Sequence, residues 1–211
     1  MKKKLGLILL LVLTTKYGMS QFFDNYGFNL GSSYSTQFWG NQRMDYKLGL
    51  QVLLSAEKKI NKLFSIKPEF GYIQKGFKYN YLVIHSDPGS PPMASDKNAI
   101  FHDLALNIGF KITPIICKCM PYAVIGLRGD YMVAYKDVVF EEYANGLKST
   151  FDMYHKANLG GLLGIGIDFS DKYYLEFEYN PSFTSSSKSA DIIDDCWGVK
   201  FGVNINKLIK K

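Results

Sequence analysis

The sequence predicts an all-β fold, an eight-stranded antiparallel up-and-down transmembrane β-barrel. Three observations lead to this fold class: an N-terminal segment typical of exported proteins, long runs in which apolar and polar residues alternate, and connections whose lengths alternate along the chain. Alternation over about ten residues matches a tilted strand that crosses a bilayer. We expect residues 21–211 to form a single barrel domain.

Residues 1–20 are typical of a secretory signal peptide. A basic start at residues 1–4 precedes an apolar stretch at 5–13, and Gly18 and Ser20 supply small residues for cleavage. The apolar stretch is too short to span a membrane. We therefore expect cleavage near Ser20 and delivery to the outer membrane of a Gram-negative bacterium. Removal takes four lysines and lowers the formal charge from +6 to +2, so the basic pI is no sign of nucleic-acid binding.

The clearest hairpin lies within residues 156–183. Odd-numbered positions from Leu159 to Phe169 are apolar or glycine, whereas most even-numbered positions are small, polar or acidic. After a short connection at 170–172 the alternation resumes, and the apolar face carries Tyr173, Leu175, Phe177 and Tyr179. Two long strands joined by so short a turn form a β-hairpin. These are the sixth and seventh predicted strands.

The same alternation predicts the other six strands, over residues 26–34, 44–56, 63–77, 100–112, 121–135 and 196–205. Pro68 falls inside the third strand and requires a bulge or a missing ladder hydrogen bond. Short turns follow strands two, four and six, whereas the longer loops are predicted at 78–99, 136–152 and 184–195. Outer-membrane barrels have tight periplasmic turns and larger extracellular loops, and a soluble barrel has no physical reason to separate loop lengths in this way.

The polar faces are expected to line the lumen, which in an eight-stranded barrel is just wide enough for side chains to fill. Twelve charged residues are predicted to point inward: Lys47, Lys67, Glu69, Asp103, Lys111, Arg128, Asp130, Lys156, Asp168, Glu176, Glu178 and Lys200. Six are basic and six acidic, and this balance predicts a salt-bridged plug rather than a charge-lined conduit. Glycines on the same face, such as Gly166, are expected to leave room for long charged side chains.

Three cysteines indicate no obvious disulfide. Cys117 and Cys119 precede the fifth strand, and Cys196 is placed at the start of the last strand, at the opposite rim. A barrel height of roughly 25 Å is far beyond disulfide reach, which leaves free thiols or a Cys117–Cys119 pair. Two cysteines alone are too few ligands for zinc. We expect no metal and no cofactor.

The three histidines are His85, His102 and His155, and all lie in or near the predicted extracellular loops. A Ser-His-acid site at the rim would suit hydrolysis of lipid, but the chain contains no G-x-S-x-G motif. A rim enzyme would require a Ser or Asp within hydrogen-bond reach of His102 or His155. A soluble lipocalin-like binder would require the apolar faces to point inward. We expect neither, and predict that the protein is not an enzyme and has no catalytic residue.

Residues 68–76, PEFGYIQKG, resemble the P-E-[LF]-x-Y-x-Q-K-G signature of the PorT-like outer-membrane β-barrel family. Residues 121–126, 163–167 and 175–179 resemble further strands of that family in the same order. The resemblance implies an eight-stranded outer-membrane barrel. Most members have no assigned activity, and the namesake members assist a protein-secretion machinery. The chain departs from the pattern by ending on lysine rather than on an aromatic residue.

Together these observations predict a non-enzymatic outer-membrane barrel that is structural or binds a partner through its extracellular loops. A small porin-like conduit is the alternative, and it would require continuous water along the lumen. The expected partners are outer-membrane lipid and a protein at the loops, with no nucleic acid. We expect a monomer.

Overall fold

The computed structural model describes residues 22–83, 93–114, 118–136, 154–170, 172–188 and 191–209. The predicted signal peptide, His85 and Cys117 lie outside these residues. The described chain contains nine strands and one short helix: β1 (Asn25–Trp39), β2 (Gln42–Arg43), β3 (Asp45–Lys59), β4 (Phe64–Val83), β5 (Met93–Ile112), β6 (Cys119–Lys136), β7 (Ala157–Phe169), β8 (Tyr173–Pro181), β9 (Ile192–Asn204) and α1 (Ile205–Ile209).

The strands form one antiparallel sheet that closes on itself. Neighbours follow the order β2-β1-β3-β4-β5-β6-β7-β8-β9, and β1 also pairs with β9. Tyr34 of β1 therefore lies opposite both Leu48 of β3 and Trp197 of β9. The two-residue β2 pairs with the end of β1 and leads into β3. Eight long strands thus complete the ring, and the predicted eight-stranded barrel is confirmed.

Two predicted loops were too long. The sequence predicted a loop over 78–99, but β4 and β5 stay paired from Phe77 with Ala99 to Val83 with Met93. Aromatic and β-branched residues favour strands, so the breaking signal is confined to the Pro- and Gly-rich residues that follow. Likewise β9 begins at Ile192, which shortens the predicted loop over 184–195 and places Cys196 inside the strand.

The interruption expected at Pro68 lies between β3 and β4. Ser55 pairs with Glu69 and Lys58 pairs with Ile66, and the residues between these pairs have no partner in that register. Proline has no N–H to donate, so a ladder bond is missing where it would be required. On its other side Pro68 pairs with Ile108 of β5. Strand β4 is therefore paired continuously with β5 on one side, whereas its pairing with β3 on the other side is interrupted.

The two faces of the wall differ sharply in chemistry. Outward-facing apolar residues are exposed, with Leu48 and Ile165 each at 65 %, whereas inward Asn107, Glu178 and Lys200 are at 0 %. This polarity is typical of a barrel in lipid, and the lipocalin-like arrangement is wrong because the apolar faces do not point inward. The described residues include no helix long and apolar enough to cross a membrane.

The two ends of the barrel differ in their connections. The turn end carries the short connections after β3, β5 and β7, together with the start of β1 and helix α1. The loop end carries the longer connections after β4, β6 and β8, and the tight turn at Gly40 and Asn41. Gly40 has φ of 57°, as the two-residue hairpin turn requires. By the rule for outer-membrane barrels, the turn end faces the periplasm.

Candidate functional site: the charged lumen

The middle of the lumen contains a central cluster of five charged residues: Lys67, Glu69, Glu176, Glu178 and Lys200. Strand β4 supplies the first two, β8 the glutamates 176 and 178, and β9 the last lysine. Residues two apart on a strand point to the same face, so each strand presents its charges inward together. The register between β8 and β9 brings charges of opposite sign together, because Glu176 lies opposite Lys200.

Lys200 is the centre of this cluster. Its Nζ lies 2.6 Å from Oε2 of Glu69, 2.8 Å from Oε1 of Glu176 and 2.9 Å from Oε2 of Glu178. Lys67 lies beside it, with Nζ 3.1 Å from Oε1 of Glu69 and 2.7 Å from Oε2 of Glu176. The five side chains are at most 5 % exposed. Charge-assisted hydrogen bonds of this length are the strong ones.

Neutral polar groups complete the hydrogen bonding of Glu69. Asn29 donates to its Oε1 at 3.2 Å, and Asn107 donates to its Oε2 at 3.1 Å. Both amides are buried and come from strands β1 and β5. Glu69 therefore accepts from two ammonium groups and two amides. A buried carboxylate needs such partners to offset the loss of hydration.

Two tyrosines cross the lumen below the central cluster. Tyr122 donates to Oε2 of Glu176 at 2.7 Å, and the Tyr174 hydroxyl bonds to Asn29. Both rings occupy space that glycines leave free, because a Cβ on Gly166 or on Gly202 would collide with the ring of Tyr122 or Tyr174 respectively. The space at Gly166 thus serves an aromatic ring rather than the long charged side chains we expected.

The turn-end cluster consists of Lys111, Glu57 and Asp168. The Nζ of Lys111 lies 2.6 Å from Oδ2 of Asp168 and 3.4 Å from Oε2 of Glu57, and 4.2 Å from the ring centre of Tyr122. A cavity of about 140 Å³ opens here and is lined by all three residues. A second space of about 10 Å³, room for one water, reaches Lys67 at the base of the central cluster.

The loop-end cluster consists of Lys75, Asp103, Arg128, Asp130 and Asp194. The Nζ of Lys75 lies 3.1 Å from Oδ2 of Asp103, 3.0 Å from Oδ2 of Asp130 and 3.5 Å from Oδ2 of Asp194. The Nε of Arg128 lies 2.8 Å from Oδ1 of Asp130. These side chains are between 3 % and 12 % exposed, slightly more than those of the central cluster.

A lid of neutral side chains covers the loop-end cluster. Gln37 donates to Oδ1 of Asp194 at 2.7 Å, while its own Oε1 accepts from Trp39 at 3.1 Å and from Tyr154 at 3.2 Å. Burial raises the pKa of the Tyr154 phenol, which keeps it a hydrogen-bond donor. Apolar groups pack around it: Phe77, Ala99, Phe101 and Met132. The lumen is therefore filled at this end too.

Ten of the twelve residues predicted to point inward lie in these three clusters, and two do not. Lys156 is exposed and precedes the first residue of β7, so strand alternation does not apply to it. Lys47 is half-buried and donates to the carbonyl of Leu48 at 3.4 Å. Lys47 lies opposite Ser35, which is buried, so it keeps the inward direction that alternation predicts although it lies outside the three clusters. The inward direction predicted for Lys156 was wrong.

Sequence reasoning missed three lumen charges: Glu57, Lys75 and Asp194. Glu57 and Lys75 lie two residues beyond Ser55 and Ile73, one further step of period two on β3 and β4, and Asp194 lies four residues before Gly198, two steps back on β9. With them the three clusters contain five basic and eight acidic groups. The predicted balance of charge is therefore wrong for the described lumen, which is acidic.

The three carboxylates of the central cluster could also suit a cation. Ligand atoms of Glu69, Glu176 and Glu178 all lie within 4.8 Å of one another. The ammonium of Lys200 contacts all three and supplies the positive charge that a metal would otherwise provide. The chemistry of this site is thus that of an internal ion pair.

The described histidines and Cys119 lie apart from the clusters, whereas Cys196 belongs to the apolar layer of the lumen with Leu53, Ile73 and Ala105. His102 contacts Tyr72, with 2.6 Å between Nδ1 and the hydroxyl, and the backbone N–H of His155 donates to the carbonyl of Ser186. Among the described residues, neither histidine has a hydrogen bond to a Ser or Asp side chain. Cys119 is exposed at the start of β6 and Cys196 is buried in β9.

Residues 19–188 match the profile of the outer membrane protein beta-barrel domain. The chain belongs to this family. Family membership and the outward apolar faces both indicate that the protein lies in the outer membrane, as the sequence predicted. No curated protein matches the chain.

The chain is similar in fold to several solved structures of outer-membrane barrels. Ail, the attachment invasion locus protein of Yersinia pestis, was solved with the heparin analogue sucrose octasulfate. It is 13 % identical, with 86 % of this chain and 98 % of that one covered and a TM-score of 0.46. Neisserial surface protein A is 9 % identical over 85 % and 97 %, with a TM-score of 0.46. The outer membrane enzyme PagL is 11 % identical over 83 % and 99 %, with a TM-score of 0.43.

Proposed function

We propose that this outer-membrane barrel is not an enzyme, that its lumen is closed by the central cluster, and that its loop end engages a partner. The observation that carries the proposal is Lys200, fully buried at the middle of the barrel and in contact with three carboxylates. Its contacts tie β9 to β4 and β8 across the lumen. A conduit would require water where these side chains meet.

The layers on either side of the central cluster support closure. Towards the turn end, the space of about 10 Å³ reaches Lys67 of the cluster and Tyr174, which lies below it. Towards the loop end, the lumen is packed with an apolar group: Leu53, Ile73, Ala105 and Cys196. Apolar layers alternate with charged layers along the lumen. A passing ion would therefore lose its hydration shell in an apolar layer and would meet buried charges in the next.

Stability alone is a poor explanation for so many buried charges. Well-packed apolar residues in place of a buried ion pair are often as stable or more stable. A register role fits better, because a slip of β4 by one residue would turn Lys67 and Glu69 towards lipid. We propose that the central cluster specifies strand register as well as closing the lumen.

Planar-bilayer recording tests closure. The wild-type barrel is expected to give no stable conductance steps. A double variant, Lys200→Ala with Glu176→Ala, removes one charge of each sign from the centre and is the opened control, which should conduct. Stable ohmic steps from the wild-type protein would overturn closure and make the conduit the function.

The absence of a catalytic role is supported by the contact of His102 with Tyr72, which lies on the outward face. Mass spectrometry of outer-membrane lipids incubated with the folded barrel is expected to show unchanged acyl chains. A lipid product that disappears in His102→Ala and persists in Lys156→Ala would instead establish a rim enzyme.

We also propose the finer details of export and family. Residues 1–20 are removed near Ser20, and within the family the chain lies with the PorT-like barrels through residues 68–76, which form part of β4. The mass of the mature protein from the outer-membrane fraction tests the cleavage site. The same fraction should give a band that migrates faster unheated than boiled, because a closed barrel resists detergent until it is heated.

A further inference from the structure

The outward face of β9 indicates where the loop-end membrane surface lies. Its outward residues include Asp195, Trp197, Val199 and Phe201, and the chain continues to Ile205. Ten residues of a tilted strand cover about 25 Å, the height of the apolar band. A charged side chain costs about 2–4 kcal/mol at mid-membrane and little at the interface. Asp195 therefore lies at headgroup level.

Aromatic rings flank Asp195 on both sides. Tyr34 and Tyr46 are stacked with ring centres 4.4 Å apart and planes 6° apart, and Tyr179 and Trp197 have ring centres 4.3 Å apart. The two pairs adjoin, because Tyr34 lies opposite Trp197 in the sheet. Tyrosine and tryptophan favour the membrane interface, which accounts for the rings but not for a carboxylate among them.

Asp195 joins the two aromatic pairs. It lies two residues from Trp197 on the outward face of β9, and Tyr46, Tyr179 and Arg43 are the side chains near enough to interact with its carboxylate. The Cζ of Arg43 also lies 5.3 Å from the ring centre of Tyr46. Oδ1 of Asp195 is buried with no donor among the described residues. We call these six residues the rim patch: Tyr34, Arg43, Tyr46, Tyr179, Asp195 and Trp197.

We propose that the rim patch binds the phosphorylated sugar headgroup of an outer-leaflet glycolipid. The inference rests on the proposed function, of which it names the partner class. Flat aromatic side chains suit the C–H faces of a sugar ring and keep a polar tip in water. The carboxylate and phenols suit sugar hydroxyls, and an arginine fork suits a phosphate. A rim that met only acyl chains would need none of these polar groups.

The turn end offers a matched control. Tyr173 and Phe201 also form an outward stacked pair, with ring centres 5.9 Å apart. Neither residue belongs to the rim patch, and the two lie on β8 and β9 at the opposite membrane surface. Tyr173→Phe therefore removes an outward phenol without touching the proposed site.

Intrinsic fluorescence tests the proposal, since the chain has two tryptophans, Trp39 and Trp197. Trp39→Phe leaves Trp197 as the reporter. The full-length mature barrel is folded into phosphatidylcholine nanodiscs that contain increasing rough-type lipopolysaccharide, with phosphatidylethanolamine in a parallel series. Lipopolysaccharide is expected to shift Trp197 emission saturably, and phosphatidylethanolamine is not.

Arg43→Gln and Asp195→Asn should each weaken this binding about tenfold, the loss expected for a hydrogen bond to a charged group. Tyr173→Phe should leave it unchanged. Arg43 is exposed, so its replacement stays informative even if Asp195→Asn fails to fold. Equal responses to both lipids, or equal losses in Tyr173→Phe, would reduce the rim patch to an ordinary aromatic girdle. These outcomes leave the closed lumen and the outer-membrane location untouched.

Discussion

The central and loop-end clusters have the same charge composition and different architectures. Each contains two basic and three acidic side chains. In the centre, three glutamates converge on Lys200 at 2.6–2.9 Å, and amides and a phenol complete the network. At the loop end, three aspartates surround Lys75 at 3.0–3.5 Å beneath a lid held by Gln37.

The difference shows how depth changes what a charge does in this barrel. The glutamates of two strands, β4 and β8, reach across the lumen, whereas the shorter aspartates of three strands stay near their own walls. Asp194 of the loop-end cluster is 12 % exposed, against 0 % for Glu178 in the centre. Water can therefore replace a lost partner more readily at the loop end. We infer that the central cluster controls folding and that the loop-end cluster tolerates change.

The largest effect is expected from Lys200→Met. The substitution leaves three carboxylates together without their ammonium, and breaking a buried ion pair costs about 3–5 kcal/mol. Urea unfolding of the barrel in phospholipid vesicles measures the free energy of unfolding, and the heat-modifiability of the gel band reports folding. A loss under about 1 kcal/mol would mean that the glutamates are hydrated and the lumen is open.

Lys75→Met is the matched change in the loop-end cluster. It should lower the free energy of unfolding by about 2 kcal/mol, the loss expected for hydrogen bonds to charged groups. This loss is smaller than that of Lys200→Met because water at the rim can hydrate the aspartates that lose their partner. The same unfolding assay compares the two variants directly. Equal losses from Lys75→Met and Lys200→Met would remove the distinction between the clusters.

Two tyrosines sharpen the comparison without removing a charge. Tyr122→Phe deletes the 2.7 Å bond to the Glu176 carboxylate and should cost about 1.5 kcal/mol, whereas Tyr154→Phe deletes a neutral 3.2 Å bond to Gln37 and should cost about 0.5–1 kcal/mol. Both variants keep the ring, so packing is preserved. The reverse order of losses would place the stronger network at the loop end.

The smallest effects are expected at the two lysines that lie outside the clusters. Lys47→Ala and Lys156→Ala should each change the free energy of unfolding by no more than about 0.5 kcal/mol, as for surface positions. The urea assay again supplies the measurement. A loss at Lys156→Ala comparable with that of Lys75→Met would show that the loop end extends the network beyond the three clusters.

The sequence by itself determined the barrel, its strand number and the direction of most side chains. Alternation is a local property, so the inward direction of Lys67, Glu69 and Lys200 could be predicted from neighbours two residues away. The errors fall at strand ends. There the alternation either stops, as before Ala157, or continues further than its apolar residues suggest, as it does to Lys75 on β4 and back to Asp194 on β9.

Only the tertiary structure decided which charges meet. Lys200 and Glu69 are 131 positions apart, and they meet because closure of β1 on β9 brings opposite walls within side-chain reach. The acidic excess of the lumen and the meeting of Tyr46 with Asp195 depend on the same closure. Register between distant strands is a property of the assembled ring, and periodicity along one strand contains no information about it.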